Sequence, residues 1–229
     1  MLKFKCLATG SSGNCYILET ENEALIVDAG VPKKEIVAGL NYNVAKVKGV
    51  IISHAHKDHT LALKDMSAFN VWQPYENENL RQKRSFGSFD VQSFDLPHYD
   101  MTSDEKITIC GYLINVEQQK ILYMTDFEYC KYNFKKLKIN HLIIECNYDE
   151  ADKDLPNYRH KVLGHCNIDT CIDFIKNNET ESLKNVILVH MGAFPYPMSE
   201  LVKKVKEHTQ ADVCCASKGL EVDMSLIKF

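Results

Sequence analysis

No stretch of this chain approaches the ~20 consecutive apolar residues that a membrane span needs, and its opening Met1-Leu2-Lys3-Phe4-Lys5 lacks the apolar core of a secretory leader. Neither a membrane partner nor secretion is expected, and the cytoplasm is the expected location. Basic charge is not in excess either. Lys plus Arg number 27 against 31 Asp plus Glu, giving a net charge of −4 and a pI near 6.1, so no global positive field advertises a nucleic-acid binder. A polyanionic substrate would have to be met by a local patch. With 10 glycines and 6 prolines there is no linker, repeat or low-complexity tract, and 229 residues suffice for one full core but not two, so one domain over residues 1–229 is expected. The nine cysteines form no paired framework. Cys6, Cys15, Cys110, Cys146 and Cys171 sit singly in apolar runs, as small core hydrophobes do, and the adjacent Cys214-Cys215 has the wrong spacing for a zinc ribbon.

What is present is a series of short apolar runs, many of which stop at a polar residue. Leu2 to Leu7 alternates, Gly10 to Asn14 reads as a turn, and Cys15 to Leu18 with Ala24 to Val27 brackets another, the pattern of antiparallel hairpins. Val47 to Ile52 ends at Ser53-His54, and Ser88 to Leu96 ends at Pro97-His98. Ile107 to Val116 and Lys120 to Thr125 flank a polar turn and run into Asp126, while His141 to Ile144 and Val186 to Val189 end at Glu145 and His190. Helical spacing appears at Ile168, Cys171, Ile172 and Ile175 behind an Asn167 cap, predicting a helix over Asn167 to Lys176. Ser199 to His208 with a Ser cap and, more weakly, Val31 to Leu40 behind Pro32 are further helices. Strands with interspersed helices in both halves imply a layered α/β or α+β domain.

The densest chemistry is His54-Ala55-His56-Lys57-Asp58-His59, directly after an apolar run. Three imidazoles and a carboxylate in six residues offer a divalent cation two kinds of ligand. At a strand end, residues two apart project to one side, so His54 and His56 can grip one ion, while Asp58 and His59 lie beyond, able to reach a second. His98, Asp126 and His190 each follow a predicted strand, and sheet folds gather ligands at one edge in this way. A carboxylate can bridge two ions with its two oxygens, and Asp126 is assigned that place.

The pattern His-x-His-x-Asp-His followed by a distant His, Asp and His, and preceded by Val27-Asp28-Ala29-Gly30, resembles the metallo-β-lactamase superfamily over essentially the whole chain. Ala8 to Cys15, with its Gly-Ser-Ser-Gly-Asn core, the segment Leu142 to Asp149, and Gly164-His165-Cys166-Asn167 resemble the corresponding elements of the YycJ/WalJ-type exonucleases, which are related to tRNase Z. The resemblance implies an αββα sandwich with two divalent metal ions at one edge, zinc or manganese, with iron also compatible with the donors. It implies that His54, His56 and His98 hold one ion, that Asp58, His59 and His190 hold the other, that Asp126 bridges, and that Asp28 orients a ligand histidine. Asp58 and His165 are the catalytic candidates, and Ser11, Ser12, Asn14, Asn147 and Arg159 the substrate-binding ones. Tyr99 after His98 and Phe127 after Asp126 depart from the small residues common in the family and would narrow the pocket.

Two such ions supply a hydroxide nucleophile near neutral pH, and phosphodiester cleavage follows from it. His165, just before a helix, is the candidate proton donor to the leaving alkoxide. The resemblance implies a 5′-to-3′ exonuclease acting on DNA rather than RNA. Arg81, Lys83, Arg84, Arg159 and Lys161, beside Tyr75, Phe86 and Tyr158, could follow a strand and stack a base, or be plain solvated surface. A small-molecule phosphodiesterase acting on cyclic nucleotides and a non-catalytic metal-binding protein are the alternatives. β-Lactam hydrolysis is not expected without a secretory signal.

Overall fold

The computed structural model describes residues 1–100, 104–149, 158–192 and 194–226, with the side chains of residues 158–160 outside that description. Six strands form one sheet, in spatial order β13 (Glu221–Asp223), β1 (Lys3–Ala8), β2 (Cys15–Glu19), β3 (Ala24–Val27), β4 (Val47–Ile51) and β5 (Val71–Trp72). Seven form the other: β12 (Asp212–Cys215), β11 (Asn185–Val189), β10 (His141–Glu145), β9 (Gln119–Met124), β8 (Glu105–Val116), β7 (Phe89–Asp100) and β6 (Lys83–Phe86). Period-two alternation sets which way each strand faces. In β3, Leu25 and Val27 point between the sheets while Ala24 and Ile26 point outward. Likewise Ile121, Tyr123, Ile143, Ile187 and Val189 face inward, and Leu122, Met124, Leu142, Ile144, Val186 and Leu188 outward. Both faces are covered, which is why these strands read as unbroken apolar runs.

The outward faces are capped by helices, giving an αββα sandwich. Ile36 of α1 (Lys33–Gly39) packs on the first sheet; Cys171, Ile172 and Ile175 of α4 (Ile168–Asn178) and Leu201 and Val205 of α5 (Met198–Lys206) pack on the second. Asn167 caps α4 as its spacing predicts, its side chain accepting from the Thr170 amide, but α5 starts one residue before Ser199, behind Pro197 and without a side-chain cap. Between the sheets an aromatic row runs from Phe4 through Tyr16, Tyr123, Tyr112 and Trp72 to Phe86, successive ring centres 5.5 to 6.5 Å apart. Among the described residues no helix is long and apolar enough to cross a membrane.

Two local features position the site. Strand β7 does not stop before Pro97-His98 but continues to Asp100, pairing Pro97 with Thr108 and His98 with Ile107 of β8. Proline is tolerated there because β6 covers only residues 89–92 of β7, so the missing amide faces an edge with no ladder to complete. The β8–β9 hairpin closes on Glu117 and Gln118 at φ of 48° and 61°, the pair of left-handed residues a tight type I′ turn needs. Strands β3, β4 and β5 run parallel, as do β9 to β12, so several chain segments leave their sheets in the same direction. All nine cysteines are free; burial pushes the Cys6 and Cys110 thiols up to about 12, as inert packing residues require.

His141, at the far end of β10, is fully buried and neutral: its Nε2–H donates to Gln119 Oε1 at 2.7 Å and its Nδ1 accepts from Asn185 Nδ2 at 2.9 Å. Burial lowers its pKa from 6.5 to about 4. Because the folded value lies below the unfolded one, the stability it contributes is complete above 6.5 and is lost as pH falls toward 4, a loss of about 3 kcal/mol. In urea titrations at stepped pH, the stability gap between wild type and His141→Gln is therefore expected to shrink by that amount over this window; parallel curves would refute the assignment.

Candidate metal centre

The site forms where strands end. Asp28 follows β3, Ser53 and His54 follow β4, Asp126 follows β9, Glu145 closes β10 and His190 follows β11, while His98 comes from the long end of β7. Asp28, Asp126 and His190 all adopt left-handed backbone, with φ of 59°, 52° and 48°. Such residues cost on the order of 1–3 kcal/mol each. Here the turn swings the side chain over the strand end instead of letting it alternate onto a sheet face.

Three segments lock together beneath the His-x-His-x-Asp-His loop, whose last residues form the short helix α2 (Lys57–Thr60). The Asn14 amide donates to the Asp58 carbonyl at 2.7 Å, the Gly30 amide to the Asn14 carbonyl at 2.8 Å, and the Ala29 amide to the His59 carbonyl at 2.8 Å. Contact is so close that a Cβ on Gly30 would lie 1.6 Å from the Asp58 carbonyl oxygen. Only glycine fits.

The imidazoles of His54, His59, His98 and His190 are oriented through Nδ1. His59 Nδ1 donates to Asp28 Oδ2 at 2.9 Å, His98 Nδ1 to the Gly164 carbonyl at 2.8 Å at the end of α3 (Tyr158–Gly164), and His190 Nδ1 to Glu145 Oε1 at 2.8 Å. The Ser53 hydroxyl donates to Asp28 and receives His54 Nδ1 at 3.0 Å. The Nε2 atoms are thereby turned toward common space, the arrangement second-layer acceptors give metal-ligating histidines. The Nε2 atoms of His54, His98 and His190 are buried without a hydrogen-bond partner, and that of His56 lies 3.4 Å from Asp100 Oδ1. Donor atoms of His54, His56 and His98 fall within 4.8 Å of one another, as do those of Asp58, His59 and His190, of His54, His59 and Asp126, and of Asp126, Glu145, His165 and His190.

Charge explains the rest. Asp28, Asp126 and Glu145 are 0%, 3% and 0% exposed, and among the described residues none is paired with Lys or Arg. Burial opposes a protonated His190, yet Asp126, Asp58 and Glu145 outweigh it and raise its pKa to about 10; burial likewise opposes charging His59, which Asp126 and Asp28 overcome. His54 and His98, shut in by burial and neighbouring imidazoles, are held below the usual range, which keeps a lone pair available. Buried anions that draw protons onto imidazoles, with orphaned ring nitrogens facing inward, are a donor set that divalent cations fit.

The structure brings His54, His56, Asp58, His59, His98, Asp126, His165 and His190 together, with Asp28 directly behind His59. Other expected residues fall elsewhere. Ser11 and Ser12 are exposed at the turn between β1 and β2, whereas Asn14 and Asn147, expected at the substrate, are buried. The Asn147 amide donates to the His190 carbonyl at 2.8 Å. The Arg159 side chain lies outside the described residues, as do those of Tyr158 and His160. Lys83 pairs with Gln92, six residues before His98 on β7 and so about 20 Å from the site. Arg81 is closer but held by Asp95 at 2.9 Å, and Phe86 is core. Phe127 is fully buried in the cluster outside the second sheet, so it does not narrow the cleft.

Glu145 is the site residue the sequence reading left without a role. Its Oε1 accepts from His165 Nδ1 at 2.7 Å, from His190 Nδ1 and from Asn147, and its Oε2 accepts from the Phe127 and Cys166 amides at 3.0 and 3.2 Å. The available signal was a carboxylate closing an apolar strand, the same one that exposed Asp126. Tyr123, whose hydroxyl donates to Asp28 Oδ2 at 2.6 Å, carried none: it lies inside the β9 run.

The αββα sandwich is one that solved proteins of metallo-β-lactamase fold share. A family model for the metallo-β-lactamase superfamily matches residues 8–80, so the chain is similar to that superfamily over this segment. The chain is similar to exodeoxyribonuclease WalJ of Streptococcus pneumoniae serotype 2, with 32% identity over 148 residues covering 48% of this chain and 55% of the relative, so it spans about half the length of that relative. It is also similar to exodeoxyribonuclease YycJ of Bacillus anthracis, 24% identical over 225 residues and 83% of each chain. Among solved structures it shares its fold with the metallo-β-lactamase fold protein YhfI of Bacillus subtilis (TM-score 0.74, 18% identity, 96% of this chain and 98% of that one) and with the short form of human tRNase Z (TM-score 0.62, 16% identity, 98% and 100%).

Gly30→Ala is expected to displace the Asp58 backbone and lower bound divalent metal after dialysis, with activity falling at least about tenfold. Elemental analysis beside a melting curve checks this; full metal content in a folded variant would show that the loop can yield.

Proposed function

We propose that this chain is a cytoplasmic dinuclear metal-dependent phosphodiesterase, a 5′-to-3′ exonuclease acting on DNA. The observation that supports it is the convergence, at one edge of the sandwich, of buried imidazole Nε2 atoms and of carboxylates that no Lys or Arg among the described residues meets. His54, His56 and His98 would hold one ion; Asp58, His59 and His190 the other; Asp126 would bridge. Zinc, manganese and iron all suit these donors. When bound, two such ions supply a hydroxide nucleophile near neutral pH and neutralise charge on a phosphate.

The chain's own residues do the rest. His165 lies beside the carboxylate cluster, its Nδ1 fixed by Glu145 at 2.7 Å and 3.7 Å from Asp126 Oδ1. That contact sets the ring so that a proton on Nε2 can pass to the leaving alkoxide. Ser11 and Ser12, exposed on the turn that leads into Asn14, would meet the substrate, and Lys57, exposed on α2, would offer a cation beside the motif histidines for the phosphate backbone. A nucleic-acid substrate is supported by the names of the curated relatives, both exodeoxyribonucleases. The small-molecule reading loses one support, since Phe127 is packed away from the cleft.

End-labelled DNA incubated with Mn²⁺ or Zn²⁺ tests the reading: mononucleotides released from the 5′ end, abolished by chelator or by sealing that end, are expected. Cyclic-nucleotide hydrolysis without DNA products would assign the small-molecule reaction instead. His165→Ala is expected to lower kcat on DNA roughly 10²- to 10⁴-fold with both ions retained, and less on bis-p-nitrophenyl phosphate, whose good leaving group needs little protonation. Equal rates on DNA would remove His165 from proton transfer.

A further inference from the structure

Asn14 stands out because its chemistry is used up inside the protein. It is fully buried, and Oδ1 accepts from the Gly10 amide at 2.9 Å and from the Tyr16 hydroxyl at 3.1 Å, filling both lone pairs. Nδ2 has two hydrogens but three neighbours: the Gly10 carbonyl at 3.1 Å, Asp58 Oδ2 at 3.2 Å and His59 Nε2 at 3.0 Å. The two hydrogens meet the two oxygens, so the contact with His59 Nε2 is left unmatched whichever way that nitrogen is protonated. It is that ring nitrogen whose lone pair a cation would claim, since His59 Nδ1 is committed to Asp28. With that nitrogen given to a metal, two N–H groups face two oxygens and the count closes.

We propose that Asn14 is a positioning residue for the second ion, its carboxamide holding the Asp58 carboxylate and releasing His59 Nε2 when metal arrives, and that it makes no contact with substrate. Tyr16 extends the network: its hydroxyl lies 2.8 Å from Thr9 Oγ1, and Thr9 Oγ1 accepts the His190 amide at 2.8 Å. One side chain from the inter-sheet core thus steadies the carboxamide beside Asp58 and His59 and, through Thr9, the backbone of His190. The inference rests on the two-ion reading and concerns only the Asp58, His59 and His190 half.

The test is a Co²⁺ titration of the metal-stripped full chain, followed by visible absorption and by competition with a chromogenic chelator. Wild type is expected to bind two ions in two steps. In Asn14→Ala the first step is unchanged and the second weakens about 10- to 100-fold, with kcat on DNA lowered and KM unmoved once metal is saturating. Tyr16→Phe removes one hydroxyl and keeps the packing, so it carries the test if Asn14→Ala does not fold; its second step is expected to weaken several-fold. Wild-type affinities for both ions in the folded variants, with a raised KM for DNA in Asn14→Ala, would overturn the assignment and return Asn14 to the substrate. A wild type that binds fewer than two ions would instead defeat the dinuclear reading, an outcome distinguishable without either variant.

Discussion

Three carboxylates buried with no lysine or arginine among the described residues to meet them are the constraint around which this protein is built. Burying an ionised carboxylate costs several kcal/mol unless donors replace its water. Glu145 is met by five such donors, two of them backbone amides and two of them imidazole nitrogens, and Asp28 by the Ser53 amide and hydroxyl, His59 and Tyr123. Asp126 is the least provided, with the Thr125 hydroxyl at 2.7 Å and His59 Nε2 at 3.1 Å. Its deficit falls where the histidine Nε2 atoms lack partners. A shortage of positive charge and a surplus of lone pairs meet in one place, and divalent cations answer both.

The fold supplies that concentration of charge cheaply because the groups come from strand ends. A strand interior must alternate between two hydrophobic faces, which leaves no position for a carboxylate, whereas the first residue past its end is released from the alternation. Left-handed turns at Asp28, Asp126 and His190 make use of that release. Rigid strands then set the positions of the donors, while the surrounding turns at Ser11-Ser12 and Lys57 are exposed and carry little of the packing. Ordered donors on strands and adaptable groups on turns let one framework keep its ion-binding groups while the residues around them vary.

Much of this was legible in the amino-acid string. Short apolar runs located the central strands to within a residue or two, and the His54 to His59 segment identified the chemistry, because both signals are local and fall in a short window. The edge strands β5, β6, β12 and β13 were not legible: they are short, and in β6 and β13 mostly polar, so their pairing is decided by neighbours rather than by their own pattern. The continuation of β7 through Pro97 was hidden for a similar reason, since an edge forgives a residue that an interior strand would reject. Asn14 and Tyr123 show the deeper limit. An asparagine in a turn and a tyrosine in an apolar run have ordinary local explanations, and only the partner brought in from 44 or 95 residues away reveals what the polar atom does.

The tyrosines of the aromatic row carry one more implication. Tyr16, Tyr112 and Tyr123 lie with their rings in the layer between the sheets, and their hydroxyls reach Asn14, the Ile52 carbonyl and Asp28, all on the underside of the ion-binding groups. The interior and the catalytic rim are therefore one mechanical unit, hinged at three phenols. Spreading the sheets by repacking the middle would retract those hydroxyls and let the ligands drift, so adaptation to a new temperature has to come from the outer helices and edges, leaving this layer untouched.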